Sequence, residues 1–278
     1  MLEFSVHQSQ GPRNSQEDRY VACAMRHGHL FAVLDGHGGH QVADYAASQI
    51  PSLFQRHLPI VPDSDKLIHE AFEATVEDLH KLIDAQFHYS GSTLSMAFVE
   101  PAGRDSQGVR FRVHAATMGD SPLALLTGSR LYAMQEHAVN LCPHDVSVIR
   151  ENIEFLKQIQ KPVPGLEMAG VQDGYVWSGV THATAKGIAP TRVLGDYEHR
   201  DLLIRVPDIQ TFEAKAGSVL MLATDGIRFD GPSKQRKSRY LEILGKIKEG
   251  LDACQIAAFA RQAVNNDNLT LIAVDLTG

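Results

Sequence analysis

A glycine-rich motif follows an apolar run near the start of this chain, and it constrains the fold more than any other feature. Leu30 to Leu34 predicts a buried strand, and Asp35-Gly36-His37-Gly38-Gly39 comes next. A carboxylate at the end of a buried strand, followed by residues that let the backbone approach a ligand, can hold a hard cation beside a phosphate. Asp-Gly is also a very common turn dipeptide, so the motif by itself is more typical of a plain turn.

Acidic residues at three other predicted strand edges favour a cation site over a plain turn. They are Glu17-Asp18 just after Arg13, Asp225-Gly226 at the end of the run 219–224, and Asp267-Asn268 at the start of the run 269–276. These positions are far apart in the sequence, so only folding can bring them together. Oxygen ligands suit hard divalent ions. We therefore predict one assembled metal site and a metalloenzyme.

The hydrophobic pattern predicts groups of strands and pairs of helices. Strands are predicted at 5–7, 20–25, 29–34, 91–100, 109–118, 122–126, 131–134, 209–214, 218–224 and 269–276. Helices are predicted at 41–58, 65–87, 146–160, 238–249 and 252–264, and Pro51 is expected to kink or divide the first of them. Regular βαβ alternation is absent, which favours two packed, mostly antiparallel sheets with helices outside.

One long segment departs from this pattern. Residues 161–190 are rich in Gly and Pro and are expected to be irregular apart from a strand at 175–177. Together with the short helix before it, the segment forms an insert at about 142–190. Such a segment is usually functional or mobile, although surface loops also tolerate decorative insertions. No linker divides the chain, and we expect one catalytic domain over residues 1–278.

Composition and charge limit the partners and the compartment. Hydrophobic residues make up 44% of the 278 residues, enough for a substantial core. The net charge of −7 argues against nucleic acid as a main partner, because binding to phosphate backbones needs a basic face. Three cysteines in no CxxC spacing indicate a reducing compartment, and no export signal or membrane span stands out. We expect a cytoplasmic monomer without a membrane partner.

Seven motifs in order along nearly the whole chain resemble those of one family, the metal-dependent serine/threonine protein phosphatases of type 2C (PPM). The motifs are Arg13 to Asp18, which resembles the family's Arg-x-x-x-Glu-Asp, Val33 to Gly39, Gly91-Ser92-Thr93, Gly119-Asp120-Ser121, Thr191 to Asp196, Thr224-Asp225-Gly226 and Asp267 to Thr270. Each motif is weak by itself, whereas the ordered series is specific. The resemblance implies an α+β fold, a four-layer α-β-β-α sandwich of two mainly antiparallel sheets with paired helices on the outer faces.

The resemblance also implies a centre of two Mn²⁺ or Mg²⁺ ions. Asp35 would bridge the ions, and Asp18 would hold a metal-bound water. The other ligands would be Glu17 and the Gly36 carbonyl on one ion, and Asp225 and Asp267 on the other. Two ions roughly 3.5–4 Å apart can lower the pKa of a bridging water and neutralise the phosphate.

The same resemblance implies roles for residues beside the metals. Arg13 would clamp phosphate oxygens with two hydrogen bonds, and His37 would protonate the leaving serine or threonine oxygen. No covalent nucleophile is required. Asp196 and Arg192 are expected to organise structure near the insert.

The chain departs from the family pattern after Asp225-Gly226. The family usually has an aromatic residue followed by an acid, whereas this chain has Ile227-Arg228-Phe229-Asp230, with the acid one place along. Asp120 would otherwise be a ligand of a third metal ion. The departure therefore weakens the expectation of a third metal.

These observations predict a signalling hydrolase that removes phosphate from phosphoserine and phosphothreonine in phosphorylated proteins. The attacking group would be a water bridged between two divalent ions. Two alternatives remain open, a catalytically silent phosphatase-fold module that binds a partner and a metal-dependent hydrolase of small phosphate esters. A silent module would have no need to keep every acidic ligand, and the family resemblance does not favour small esters.

Overall fold

Groups of strands and pairs of helices make up the chain. The computed structural model describes residues 2–61, 64–106, 108–159, 163, 165–179, 181, 185–227, 233–260 and 267–277. The helices in these ranges are α1 (Gln41–His57), α2 (Asp65–Asp84), α3 (Pro143–Gln158), α4 (Ser233–Lys248) and α5 (Ala253–Ala260). The strands are β1 (Glu3–Ser9), β2 (Arg19–Met25), β3 (Gly28–Leu34), β4 (Gly36–His37), β5 (Gly91–Ser92), β6 (Leu94–Asp105), β7 (Gly108–Met118), β8 (Leu123–Thr127), β9 (Arg130–Ala133), β10 (Gly170–Gln172), β11 (Tyr175–Ser178), β12 (Lys186–Ile188), β13 (Leu194–Gly195), β14 (Asp208–Lys215), β15 (Ser218–Ala223) and β16 (Leu269–Leu276).

Two five-stranded antiparallel sheets form the centre of the fold. One has the strand order β1-β16-β15-β8-β9 and the other β14-β7-β6-β3-β2. In the first sheet Ala223 of β15 lies opposite Leu271 of β16, so β15 ends where β16 begins. In the second sheet Arg19 of β2 lies opposite Leu34 of β3, so β2 begins where β3 ends.

Buried apolar side chains form three core layers. One lies between the helix pair α1 and α2 and the second sheet, one between the two sheets, and one between the first sheet and the helix pair α4 and α5. Strand β3 contributes to two of them, because Phe31 and Val33 face the other sheet while Leu30 and Leu34 face α1 and α2. This explains why β3 is a continuous apolar run. The outer face of the first sheet packs against α4 and α5. The layers confirm the predicted four-layer arrangement, with two antiparallel sheets inside and a helix pair on each outer face.

The predicted helices are present with shifted ends. Pro51 does not divide α1, because the residues on both sides of it bury their apolar side chains in the same core. Helix α3 begins at Pro143, where proline is favourable in a first turn, and not at 146. Helix α4 begins at Ser233, and the predicted end of the last helix at 264 lies outside the described residues.

The insert contains a small antiparallel sheet, of which the sequence predicted one strand, at 175–177, within otherwise irregular chain. Strands β10, β11 and β12 pair in that order. Asp173 and Gly174 have φ angles of 52° and 85°, the positive values that an Asp-Gly hairpin turn requires. That dipeptide was the available signal, because strands of three or four residues are too short to show alternation. Ile149, Val176 and neighbouring apolar residues give the insert its own buried cluster.

The cysteines are all free thiols. Cys142 is buried, Cys23 is half-buried and Cys254 is exposed. No helix in the described ranges combines the length and the apolar character needed to cross a membrane.

Candidate active site

A cleft of about 480 Å³ lies at the shared strand ends of the two sheets. It is lined by nearly all the residues predicted from the motifs, namely Arg13, Glu17, Asp35, Gly36, His37, Asp120, Asp225 and Asp267. Asp35 follows β3, Asp225 lies just after β15, and Asp267 lies just before β16. Gly187 to Pro190, at the end of the insert, line the same cleft. Folding therefore brings together positions that are far apart in the sequence.

Carboxylates crowd the base of this cleft. Desolvation, followed by the charges of Asp225, Asp18 and Asp120, raises the pKa of Asp35 well above its ordinary value. Desolvation and the charge of Asp225 raise the pKa of Asp120 to about 7. Carboxylates this close disfavour one another's ionised forms unless positive charge lies beside them. The donor set, all oxygen and mostly anionic, fits hard divalent cations such as Mn²⁺ or Mg²⁺.

Asp18 lies beneath the cleft and does not line it. It is only 1% exposed, and the Thr224 hydroxyl donates a hydrogen bond of 2.8 Å to its Oδ2. Burial raises the pKa of Asp18 to about 7, while hydrogen bonds from Thr224 and Thr270 act in the opposite direction. The position makes Asp18 a fixed neighbour of the cleft carboxylates.

Hydrogen bonds from three segments fix Glu17. The Ser15 hydroxyl donates to its Oε1 at 2.8 Å, and the Gly39 N–H donates to its Oε2 at 3.4 Å. The Asn268 side-chain oxygen accepts from the Glu17 N–H at 2.8 Å. The Asn268 amide also donates to the carbonyls of Gln10 and Ser15, at 2.8 and 2.9 Å. Asn268 thus joins the N-terminal segment to β16, a role that its motif membership did not reveal.

Two motif glycines allow backbone segments to approach at the cleft. A Cβ at Gly36 would lie 2.6 Å from the Glu17 carbonyl oxygen. A Cβ at Gly226 would lie 1.8 Å from the Asn268 carbonyl oxygen. Both Asp-Gly dipeptides therefore use glycine for close packing beside an acidic residue.

His37 pairs with Asp196, a contact that goes beyond the structural role near the insert expected for Asp196. The His37 Nε2 lies 2.6 Å from the Asp196 Oδ2. Strands β4, β5 and β13 form a small sheet that places Gly91 between His37 and Gly195. A Cβ at Gly91 would lie 2.1 Å from that Asp196 oxygen and 2.5 Å from the His37 nitrogen. Glycine at this position therefore makes the pair possible.

The contact with Asp196 also favours the protonated form of the His37 imidazole. Burial opposes protonation of His37, but the adjacent Asp196 carboxylate outweighs it, and the pKa of His37 is raised. Asp196 itself adopts the left-handed backbone conformation, with φ 49°. Asp is among the few non-glycine residues that tolerate this conformation. A short motif such as Gly195-Asp196 gives no sign of a partner 159 residues away.

Arg13 lies at the cleft, where its guanidinium is half exposed. Its Nη2 lies 2.6 Å from the Asp267 Oδ2. The predicted phosphate clamp and a predicted metal ligand are therefore in direct contact. This pairing places a cation within reach of any anion bound in the cleft.

Arg192 organises structure near the insert, as expected. It forms a two-point ion pair with the buried Asp145, at 2.9 and 2.8 Å, and the Thr191 hydroxyl and His137 also bind this carboxylate. His137, Cys142 and Asp145 lie close enough together to suggest a metal site. The Asp145 oxygens are already occupied by these donors, which hold its pKa far below the ordinary range despite burial. The Asp145 carboxylate is therefore a fully hydrogen-bonded structural group.

The raised carboxyl pKa values predict how the metal-free protein responds to pH. Asp18 and Asp120 shift from an ordinary pKa of 3.8 to about 7 on folding. A raised carboxyl pKa favours folding below the ordinary value, and this contribution is lost as the pH rises through the folded-state value. In EDTA we expect the melting temperature to fall as the pH rises from about 4 to about 8. Excess Mn²⁺ should flatten the dependence, and equal slopes with and without Mn²⁺ would contradict the cation site.

Comparison with known proteins identifies the family. The protein phosphatase 2C model matches residues 2–228. Probable protein phosphatase 2C 59 of Arabidopsis thaliana is 27% identical to this chain, over 98% of the chain and 79% of that protein. Protein phosphatase 1L of Bos taurus is 23% identical, over 97% and 71% respectively.

Solved structures show the same fold. A phosphatase from Toxoplasma gondii gives a TM-score of 0.69 at 19% identity, covering 99% of this chain and 93% of that one. The catalytic domain of the serine threonine protein phosphatase PstP, in complex with two manganese ions, gives 0.58 at 18% identity and covers 100% and 99%. The family match extends over most of the chain and confirms the fold and enzyme class predicted from the motifs: the chain belongs to the protein phosphatase 2C family.

Proposed function

We propose that this chain removes phosphate from phosphoserine and phosphothreonine in proteins, using two divalent cations, Mn²⁺ or Mg²⁺, bound in the cleft. The observation that supports this most is the desolvation of Asp35 beside the carboxylates of Asp225, Asp18 and Asp120, which together raise its pKa well above the ordinary value. Such a cluster favours bound cations over an empty cleft. The manganese ions in the PstP structure agree with this choice of metal for a protein of the same fold.

Each predicted ligand would keep the role that the motifs imply. Asp35, Glu17, the Gly36 carbonyl, Asp225 and Asp267 would hold the two ions. When bound, the ions would supply an activated water and offset the phosphate charge. Asp18, fixed by Thr224, would orient the attacking water. A third ion at Asp120 is not part of the proposal, because the acid expected after Asp225-Gly226 is displaced to Asp230, outside the described residues.

Arg13 would bind the phosphate. Its ion pair with Asp267 holds the guanidinium at the cleft. A guanidinium presents parallel N–H groups that match two phosphate oxygens. We infer that Arg13 turns toward the phosphate when the substrate enters and so orients it for attack.

His37 would be the general acid, with Asp196 as its positioning residue. The Asp196 carboxylate is hydrogen-bonded to the Nε2 of His37. Nδ1 is therefore the nitrogen left to donate a proton to the leaving oxygen. The carboxylate also favours the doubly protonated imidazole, which the donation requires. Positioning by a buried carboxylate fixes the ring orientation before the substrate binds.

Asp196→Asn tests this positioning role without disturbing the backbone. Asn tolerates the left-handed conformation as well as Asp does. We expect kcat on a phosphothreonine peptide to fall roughly 10- to 100-fold, with a much smaller loss on an aryl phosphate that leaves without protonation. Asp173→Asn is the matched control, since Asp173 also has positive φ, 52°, and lies in the insert hairpin. Equal losses on both substrates would assign Asp196 a structural role instead.

A panel of substrates separates the proposal from its alternatives. With Mn²⁺ present, phosphate release would be measured from phosphoserine and phosphothreonine peptides, from free phosphorylated metabolites and from an aryl phosphate. We expect kcat/KM for the peptides to exceed that for the metabolites by roughly tenfold or more, because a peptide contacts more of the protein. Higher values for the metabolites would favour a hydrolase of small esters. No release from any substrate would favour the silent module.

The proposal also includes the domain organisation, the oligomeric state and the compartment of the protein. We infer one catalytic domain, acting as a monomer in the cytoplasm, in which the insert serves as a flap beside the cleft. Gly187 to Pro190 in the cleft wall support the flap assignment. The three free thiols fit a reducing compartment. The acidic net charge of −7 argues against nucleic acid as a partner.

A further inference from the structure

A second cavity of about 400 Å³ adjoins the active-site cleft. The two cavities share His37, Gly38, Gly187 and Ile188. Beyond these shared residues the second cavity extends along His88, Tyr89, Lys186, Glu198 and His199, and we call it the side groove. The imidazole of His37 thus stands at the boundary between the carboxylate cleft and the side groove.

Both walls of the side groove are held in place by side-chain contacts. Lys186 of β12 pairs with Glu198 at 2.8 Å, and its ammonium lies 5.2 Å from the centre of the Tyr89 ring. His88 packs edge-on against Tyr197, with ring centres 4.7 Å apart. These contacts connect the end of the insert to the segment before β5. The groove is therefore formed before any substrate binds.

Tyr89 is the most unusual residue of the groove. Tyr89 is 77% exposed, although a large aromatic surface usually gains from burial. The acidic groups nearby are already paired, Glu198 with Lys186 and Asp196 with His37. An uncharged apolar partner would therefore suit this surface better than a charged one. Tyrosine provides such contact area at low entropic cost because it has few rotatable bonds.

The position of His37 determines which part of a substrate reaches the groove. The phosphate must lie among the cleft carboxylates, and the leaving oxygen must lie at His37. The polypeptide that carries this oxygen then continues from His37 away from the carboxylates. The side groove opens at that point, and an extended chain advances about 3.3–3.6 Å per residue, so the first residues beside the phosphorylated one would reach Tyr89.

We propose that the side groove binds the substrate residues next to the phosphoserine or phosphothreonine, and that Tyr89 selects an aromatic side chain there. The proposal rests on the proposed function, because it requires a phosphoprotein substrate. Stacking on the exposed Tyr89 ring would bury aromatic surface from both partners. Selection would act mainly through KM, since the contact forms in the bound substrate and persists in the transition state.

The test compares matched phosphothreonine peptides on the Mn²⁺-loaded full chain. One series carries Phe, Ala or Glu at each of the two positions on either side of the phosphothreonine. We expect kcat/KM to be roughly 3- to 10-fold higher for Phe than for Ala at one position, through a lower KM. Tyr89→Ala should bring this ratio close to one, and Tyr89→Phe should retain it. The ratio compares two substrates on one protein, so a change in active fraction cancels.

Tyr20→Ala is the control, because Tyr20 is also an exposed tyrosine, at 43%, but lies on β2 outside the groove. Its Phe-to-Ala ratio should equal that of the unaltered chain. An undiminished ratio in Tyr89→Ala would overturn the proposal. A preference for Glu that disappears in Lys186→Ala would overturn aromatic selection and assign the groove to acidic residues. Failure to cleave any phosphopeptide, with aryl phosphate still cleaved, would overturn the proposed function as well.

Discussion

Asp35→Asn is expected to lower phosphatase activity by on the order of 10³-fold and to remove stabilisation by Mn²⁺. Desolvation and the charges of Asp225, Asp18 and Asp120 raise the pKa of Asp35 well above its ordinary value, and in the proposed centre Asp35 would be a ligand of the cations. At a hundredfold excess over its dissociation constant, one bound ion would stabilise the unaltered chain by about 2.7 kcal/mol. The checks are the melting temperature with and without Mn²⁺ and the rate of phosphate release.

Asp35→Asn is also expected to change the melting temperature of the metal-free protein. Asn removes a carboxyl group whose ionised form is disfavoured by its neighbours, so in EDTA the variant should melt at or above the temperature of the unaltered chain. Asp105→Asn, on the exposed end of β6, is the matched control and should retain the Mn²⁺ response. A variant that melts lower in EDTA and still gains stability from Mn²⁺ would show that Asp35 supports the fold and not the cations.

His37→Gln should slow hydrolysis of a phosphothreonine peptide by roughly 10²- to 10⁴-fold. The alkoxide leaving group needs a proton, and His37 is the cleft residue whose Nε2 is already held by a carboxylate, at 2.6 Å. An aryl phosphate has a better leaving group and should lose much less. Rates on both substrates, measured at the same saturating Mn²⁺, provide the comparison.

His57→Gln is the matched control for this substitution. His57 also pairs with a carboxylate, Asp78 at 2.9 Å, but it lies on α1 outside the cleft. His57→Gln should leave the ratio of the rate on the phosphothreonine peptide to the rate on the aryl phosphate unaltered. If His37→Gln slows both substrates equally, His37 serves the geometry of the metal centre and another group donates the proton.

Much of the fold and of the site could be predicted from the sequence because the signals were local. Strand β3 is apolar on both faces. The acids that follow β3 and β15 each precede a glycine, and a Cβ at either glycine would collide with a neighbouring backbone carbonyl. The ordered motifs then indicated which strand ends would meet. Asp35, Asp225 and Asp267 accordingly line one cleft.

The features that sequence reasoning missed depend on contacts between distant segments. The His37–Asp196 pair forms because Gly91 separates the two residues in a sheet of two-residue strands, too short to show any pattern. In the small sheet of the insert only β11 was predicted, because β10 and β12 have three residues each and show no pattern either. Asn268 belonged to a motif, but its hydrogen bonds to Glu17 and Gln10 follow from the tertiary fold alone.

The decisive measurement is phosphate release from a phosphothreonine peptide after EDTA treatment, followed during stepwise addition of Mn²⁺. The carboxylate cleft requires cations to act, so no release is expected in EDTA, and activity should return as two ions bind per chain. Full activity in EDTA, or no activity at saturating Mn²⁺ in a folded protein, would contradict a metal-dependent phosphoprotein phosphatase.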